Sequence, residues 1–193
     1  EGGVDWQINR SDGVLDIAAH YVIRADDGGL IEVTSDGMRH GPADVLARLA
    51  RGEPVAYILG RREFYSLELS VNPAVLIPRP ETELLVDLAL ERNPASVLDL
   101  GTGSGAIALA LKRHLKNSRV VAVDADLCAL QVAKRNATKH GLEVEFRHGR
   151  WFGPVAGERF DLIVSNPPYV AEGDPHLPAL RHEPQAALVA GRD

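Results

Sequence analysis

Between residues 14 and 23 the chain alternates. Leu15, Ile17, Ala19, Tyr21 and Ile23 recur at every second position, the opposite face carries Asp16 and His20, and Arg24 follows on that face. A period of two predicts a half-buried strand. Asp26-Asp27-Gly28-Gly29 is a turn signal and residues 30–35 resume a strand. Residues 1–45 are therefore expected to be an N-terminal β-hairpin segment.

The pattern changes after residue 40. GPADVLARLARG has Pro42 near its start and Gly52 just past its end, which predicts a short helix. Residues 52–80 then read as extended segments punctuated by Pro and Gly, a linker and hairpin leading onward. From residue 81 strands and helices alternate. ETELLVDLALER is a helix behind Pro80, with Glu81 and Glu83 placed where the helix dipole favours acids. SVLDL, RVVAVD, EVEFRHG and FDLIVSN are strands, separated by helices over SGAIALALKRHL and over ADLCALQVAKRNATKH, the latter capped by Asp126 and followed by Gly141. Alternation of this kind implies right-handed crossovers and a mostly parallel α/β sheet over residues 81–193.

Composition changes this picture little. The 193 residues are 45% hydrophobic and 25% charged, ordinary for a packed domain. The net charge of -6 disfavours nucleic acid, whose phosphates call for a basic face, and suits a protein partner or a small ligand. The one cysteine, Cys128, excludes an internal disulfide and reads as a small buried hydrophobe. No apolar run reaches the length of a membrane span and the first residues lack a signal peptide's apolar stretch, so a cytoplasmic location is expected. The seven histidines show no metal-binding spacing, and no metal is expected.

Two stretches carry chemistry. In VLDLGTGSG, Gly101, Gly103 and Gly105 allow a tight turn and close approach of a ligand to backbone at a helix start. One strand later Asp124 ends RVVAVD and brings a carboxylate to the carboxyl ends of the strands, where open α/β sheets bind ligands. A carboxylate there can accept both hydroxyls of a ribose. A strand-end acid beside a glycine turn is the plainer alternative, and a nicotinamide enzyme is another. The G-x-G-x-G spacing departs from the dinucleotide fingerprint and favours S-adenosylmethionine, which has no pyrophosphate to cradle.

The second stretch is Asn166-Pro167-Pro168-Tyr169, directly after FDLIVS. Average usage would produce this tetrapeptide in roughly one such chain in a thousand, so chance is a poor explanation. An amide nitrogen is a weak nucleophile because its lone pair is delocalised. Acceptors on both of its N–H bonds, the Asn166 side-chain oxygen and the Pro167 carbonyl, can turn that lone pair toward a methyl group. The two prolines stiffen the loop and remove donors, and Tyr169 can stack on a flat acceptor. Alignment is then the main catalytic demand and no strong general base is needed. A stiff turn with an exposed Tyr is the bland alternative.

The same loop serves enzymes that methylate adenine, and the flanking text decides between them. GEPVAYILGRREFYSLELSVNPAVLIPRPETELLVD, VLDLGTGSGAIALAL, AVDADLCALQVAKRNA, FDLIVSNPPYVAEGDPHL and LRHEPQAALVAG together resemble the bacterial release factor glutamine N5-methyltransferases over about residues 46–193. The resemblance implies a Rossmann-like S-adenosylmethionine-dependent methyltransferase core, with the glutamine of a release factor's Gly-Gly-Gln loop as acceptor. It implies cofactor contacts at Gly101, Thr102, Gly103, Ser104, Gly105, Asp124, Trp151 and Asn166. It also implies catalytic contacts at Asn166, Pro167, Pro168 and Tyr169, in a site lined by residues 77–83.

Three departures qualify it. Arg150 stands where the family commonly has an acid that accepts from the adenine amino group, which Arg cannot do, so weaker cofactor binding is expected. The family opens with a helical bundle, whereas residues 1–55 here resemble a bacterial family of small β-barrel proteins of unknown function. A junction near residues 45–55 is expected, as in a fusion or chimera. Finally, the chain stops at ALVAGRD after four identifiable parallel strands of a seven-stranded sheet, so an incomplete sheet with an open edge is expected. The alternatives that remain are a nucleic-acid adenine N6-methyltransferase and a truncated, chimeric, non-catalytic module.

Overall fold

The structure, a computed structural model, describes residues 2–9, 15–24, 30–39 and 42–190, the first three stretches as backbone alone. Two compact units divide it, Glu1–Glu53 and Pro54–Asp193. In the first, strands β1 (Gly2–Asn9), β2 (Leu15–Arg24) and β3 (Leu30–Arg39) pair antiparallel in the order β1-β2-β3. The expected hairpin is thus a three-stranded sheet. Its extra strand, β1, runs in register from Gly2↔Val22 to Asn9↔Leu15. Val4, Trp6 and Ile8 alternate with Asp5 and Gln7 in that stretch, the period of a half-buried strand, but the run is short and opens on two glycines. The turn expected at residues 26–29 and the side chains expected on the two faces of β2 lie outside the described residues. Helix α1 (Ala43–Ala50) follows, as its Pro and Gly punctuation predicts, and Arg48 pairs with Glu53 just beyond it.

The second unit opens with a correction. Residues 55–59, expected to be extended, form helix α2 (Val55–Leu59). Five residues are too few to show a helical period. Its boundaries are nevertheless chemical, with Pro54 ahead of the first turn and Gly60 taking the left-handed C-cap at φ 68°. A hairpin follows, β4 (Arg61–Phe64) and β5 (Leu67–Ser70), joined by Tyr65 and Ser66 at φ 49° and 59°. Two left-handed residues match the twist of the paired strands. Phe64, Leu67 and Leu69 bury their side chains.

A 3-10 turn over Pro80–Thr82 leads into α3 (Glu83–Arg92). Then β6 (Ser96–Leu100), α4 (Ala106–His114), β7 (Arg119–Asp124), α5 (Leu127–His140), β8 (Glu145–His148) and β9 (Leu162–Ser165) complete an α/β core. All neighbours in the sheet are parallel, in the order β8-β7-β6-β9. Val97, Leu98, Val121 and Val123 are essentially fully buried, as strands covered on both faces require.

Asp126 caps α5 by accepting from the Cys128 amide, as the sequence predicts. Cys128 itself is exposed, not buried. Helix α5 turns Ala129, Leu130, Val132, Ala133, Asn136 and Ala137 inward, and position 128 falls outside that face. At the amino ends of the strands, Arg119 of β7 and Glu145 of β8 pair at 2.8 Å, and Glu158 and Arg147 extend them into a four-membered surface network. No helix among the described residues is long and apolar enough to cross a membrane.

Candidate functional site

The register of the sheet brings the two sequence motifs to one rim. Leu100, the last residue of β6, pairs with Val123 of β7 on one side and with Ser165, the last residue of β9, on the other. The glycine loop leaves at residue 101 and the Asn-Pro-Pro-Tyr loop at residue 166, from adjacent strands at the same level. The Ser165 hydroxyl donates to the Leu100 carbonyl at 2.7 Å and fastens the two exits together. Between β6 and β9 the chain order reverses direction across the sheet, which opens a crevice at the carboxyl ends.

The glycine loop is held from behind. The amides of Gly101 and Thr102 both donate to the Val123 carbonyl, at 2.9 and 3.1 Å. The Gly103 amide donates to Asp124 Oδ2 at 2.8 Å, and the Asp126 amide to Asp124 Oδ1 at 2.9 Å. Asp124, read from the sequence as a ligand group, is therefore also the anchor of the loop. Each of its oxygens keeps a further lone pair. Gly101, Gly103 and Gly105 have φ of 75°, 55° and 85°. A Cβ at Gly101 or Gly103 would meet open space, whereas one at Gly105 would lie 3.2 Å from the Ala133 Cβ. The first two glycines border the crevice, and the third lets α4 and α5 close on each other. This arrangement, bare backbone facing open space beside a half-buried carboxylate, fits an adenosyl cofactor.

Thr102 and Ser104 turn their side chains inward and are buried. The Thr102 hydroxyl donates to Asp99 Oδ2 at 2.7 Å. Asp99 Oδ1 has no hydrogen-bond partner among the described residues, and burial pushes the Asp99 carboxyl up from 3.8 to about 6. The surface network works in the opposite sense: hydrogen bonding from Arg119 pulls Glu145 from 4.5 down to about 2. A carboxyl raised in the folded state contributes stability that is lost as pH rises through about 6, and a lowered one contributes stability that is lost as pH falls from 4.5 toward about 2. The thermal midpoint is accordingly expected to rise as pH falls from 7 to about 5 and to drop below about 4. The acid limb, carried by exposed pairs, should flatten at 1 M salt in a calorimetric pH series.

The second loop presents Asn166, half-buried, to the same rim. Its Nδ2 donates to the Thr82 hydroxyl at 3.3 Å, and its Oδ1 has no hydrogen-bond partner among the described residues. Tyr169 is 77% exposed. Val170 then forms a bridge to Val189, its amide donating to the Leu188 carbonyl at 2.9 Å. Buried Glu183 accepts from the Ile77 amide at 3.0 Å and pairs with Arg79, which ties the segment 77–83 to the stretch after the loop. Trp151 follows β8 with φ 52° and is 69% exposed, and the segment leading to it is joined to the rim by the Gly149 amide donating to the Asp124 carbonyl at 2.9 Å. A bulky residue in the left-handed region costs about 1–2 kcal/mol.

The structure therefore brings together residues 101–105, Asp124, residues 166–169 and the segment 77–83. Thr82 is legible only as part of the segment 77–83, and two further groups that support the site escape sequence reading: Glu183 and Asn136. The last is fully buried on α5, where its carboxamide pairs with both backbone groups of Ser70 and donates to the Ser104 carbonyl at 2.9 Å. Among the described residues no group of three or more His, Cys, Asp or Glu is placed to hold a metal ion.

A family model for the methyltransferase small domain matches residues 80–183. A second model, for a protein of unknown function (DUF3237), matches residues 1–73. The release factor glutamine methyltransferase of Xylella fastidiosa strain Temecula1 is 54% identical over 151 residues, 75% of this chain and 55% of that protein. The one from Coxiella burnetii strain RSA 493 is 45% identical over 168 residues, 84% of this chain and 60% of that protein. The chain thus spans a little over half the length of the curated relatives it matches. Among solved structures, the ribosomal protein L11 methylase of Lactobacillus delbrueckii subsp. bulgaricus is similar with 30% identity and a TM-score of 0.40, covering 45% of this chain and 46% of that one. With more than half of its residues under the first model, the chain belongs to the methyltransferase small domain family.

Proposed function

We propose that this protein methylates the side-chain amide nitrogen of a glutamine in a peptide-chain release factor, with S-adenosylmethionine as donor. The observation that carries the reading is the emergence of the glycine loop and the Asn166 loop from adjacent strands at one rim, with Asn166 Oδ1 left without a partner among the described residues. The names of the relatives, release factor glutamine methyltransferases, supply the substrate class. In this reading residues 1–45 are a segment of separate descent, residues 46–80 lead into the core, and residues 81–193 carry the chemistry. Its substrate would place the protein in the cytoplasm.

Residues 101–105 and Asp124 would hold the donor, which supplies a methyl group activated by a sulfonium. Backbone at Gly101 and Gly103 allows close approach, Asp124 accepts from ribose hydroxyls, and Trp151 offers an aromatic face. Asn166 Oδ1 accepts one N–H of the substrate carboxamide and the Pro167 carbonyl accepts the other. Pinned in this way, the nitrogen turns its lone pair out of conjugation and toward the crevice. Pro167 and Pro168 keep both acceptors in place without reorganisation. Tyr169 covers the flat face of the carboxamide and excludes water. The nitrogen gives up its extra proton to solvent after the methyl is transferred, so the site needs no strong base.

Incubation of the purified chain with methyl-labelled S-adenosylmethionine tests this, with a release factor, duplex DNA or no acceptor in parallel. Label on the glutamine of the Gly-Gly-Gln loop is the expected outcome. Label on DNA would replace it with adenine methylation. No label and no calorimetric binding of the donor would leave a non-catalytic module.

A further inference from the structure

Thr82 ends the 3-10 turn and precedes α3 with helical backbone angles, φ -71° and ψ -17°, not the extended ones from which a threonine cap bonds the free amides of its helix. Here it makes no such bond. Its hydroxyl instead meets Asn166 Nδ2, 84 residues further along the chain. The only carboxamide in the Asn-Pro-Pro-Tyr loop thereby gains a partner.

That partner matters because a carboxamide has two ends of nearly equal shape and opposite hydrogen-bonding sense. Turned one way, Asn166 offers an acceptor to an incoming N–H. Turned the other way, it offers two donors and repels the same group. The Thr82 hydroxyl accepts from Nδ2 at 3.3 Å, and Oδ1 has no hydrogen-bond partner among the described residues.

Thr82 is well placed to hold the carboxamide still, because the segment that carries it is fixed at several points. Glu183, buried, holds the Ile77 amide at 3.0 Å and pairs with Arg79. The Thr82 amide closes a turn to the Arg79 carbonyl at 3.0 Å. The next residue, Glu83, accepts from the Tyr65 amide at the hairpin tip at 2.8 Å. Pro78 and Pro80 restrict the backbone between these anchors. A hydroxyl on such a platform keeps its position without an entropic cost at each encounter.

We infer that Thr82 is a positioning residue that holds the Asn166 carboxamide in place at the rim. The inference rests on the proposed glutamine methylation, and its test separates the two. Thr82→Val keeps the shape and removes the hydroxyl, and Thr82→Ser keeps the hydroxyl. With saturating release factor, Thr82→Val is expected to lower the methyl-transfer rate roughly 10- to 100-fold, the scale of a misplaced reacting group. Calorimetric donor affinity and the thermal midpoint should stay near wild type, and Thr82→Ser should restore most of the rate. Independently of turnover, the Asn166 side-chain amide protons, identified in ¹⁵N spectra by their loss in Asn166→Asp, should exchange with water faster in Thr82→Val than in wild type or Thr82→Ser. An unchanged rate in Thr82→Val, an equal fall in donor affinity, or unchanged amide exchange would overturn the inference. If the wild-type chain labels no release factor, the methylation reading falls, and the exchange measurement alone decides whether Thr82 holds Asn166.

Discussion

Asn166→Ala is expected to lower the rate of methyl transfer to a release-factor glutamine by about 10²–10³-fold, the scale for removing one preorganised hydrogen-bonding group from an active site. The Pro167 carbonyl survives the change and still holds one N–H of the substrate. The other N–H then points at an empty space, the amide stays conjugated, and its lone pair is not presented. Asn166→Asp should fall between the two. It retains an acceptor for the substrate, but it loses the Nδ2 bond to Thr82 and adds a charge to a half-buried position. Single-turnover rates with labelled donor read the ordering wild type, Asp, Ala. A variant series in which all three retain the wild-type rate would remove Asn166 from the chemistry.

The largest effect on stability is expected at Asn136. Its carboxamide accepts from the Ser70 amide at 2.7 Å and donates to the Ser70 and Ser104 carbonyls at 3.0 and 2.9 Å. Asn136→Ala strands three backbone groups, the buried Ser104 carbonyl and the part-buried amide and carbonyl of Ser70, each costing about 1–3 kcal/mol when unsatisfied. Partial relaxation brings the sum to about 4 kcal/mol, a large share of the roughly 5–15 kcal/mol that holds a domain together. Urea unfolding followed by circular dichroism should show the midpoint falling steeply. Asn136→Asp should be no milder, since it keeps the acceptor but loses both donor bonds and buries a charge. A change below about 1 kcal/mol would mean that Ser70 and Ser104 find other partners.

The two predictions mark where the sequence speaks and where it is silent. VLDLGTGSG and SNPPY are legible because their chemistry is local. Glycine at 101, 103 and 105 reports a backbone conformation, and adjacent prolines report a stiff loop. The strands follow from short apolar runs, and the helices α4 and α5 from their periods. Helix α2 escapes because five residues carry no period, and β1 because its alternating run is short and opens on two glycines. Cys128 misleads because a helical sequence does not say which side of the first turn faces the core. Asn136, Glu183 and the particular role of Thr82 within the segment 77–83 escape for a different reason. All three are common polar residues whose partners lie 32 to 106 positions away. Asn136 reads as one more polar position on a helix, and Glu183 as an unexplained acid. Only the fold gives them work.

The clamp at Glu183 has a consequence for how the molecule comes into being. Residues 96–165 contain the four strands of the parallel sheet and both loop exits, so the rim from which both loops leave can form from one continuous stretch. Residues 77–79 are older in the order of synthesis, yet they wait for a carboxylate more than a hundred residues downstream before they are fixed. Contacts of such separation close late. A nascent chain would thus complete the rim that carries both loops before the segment beside it hardens.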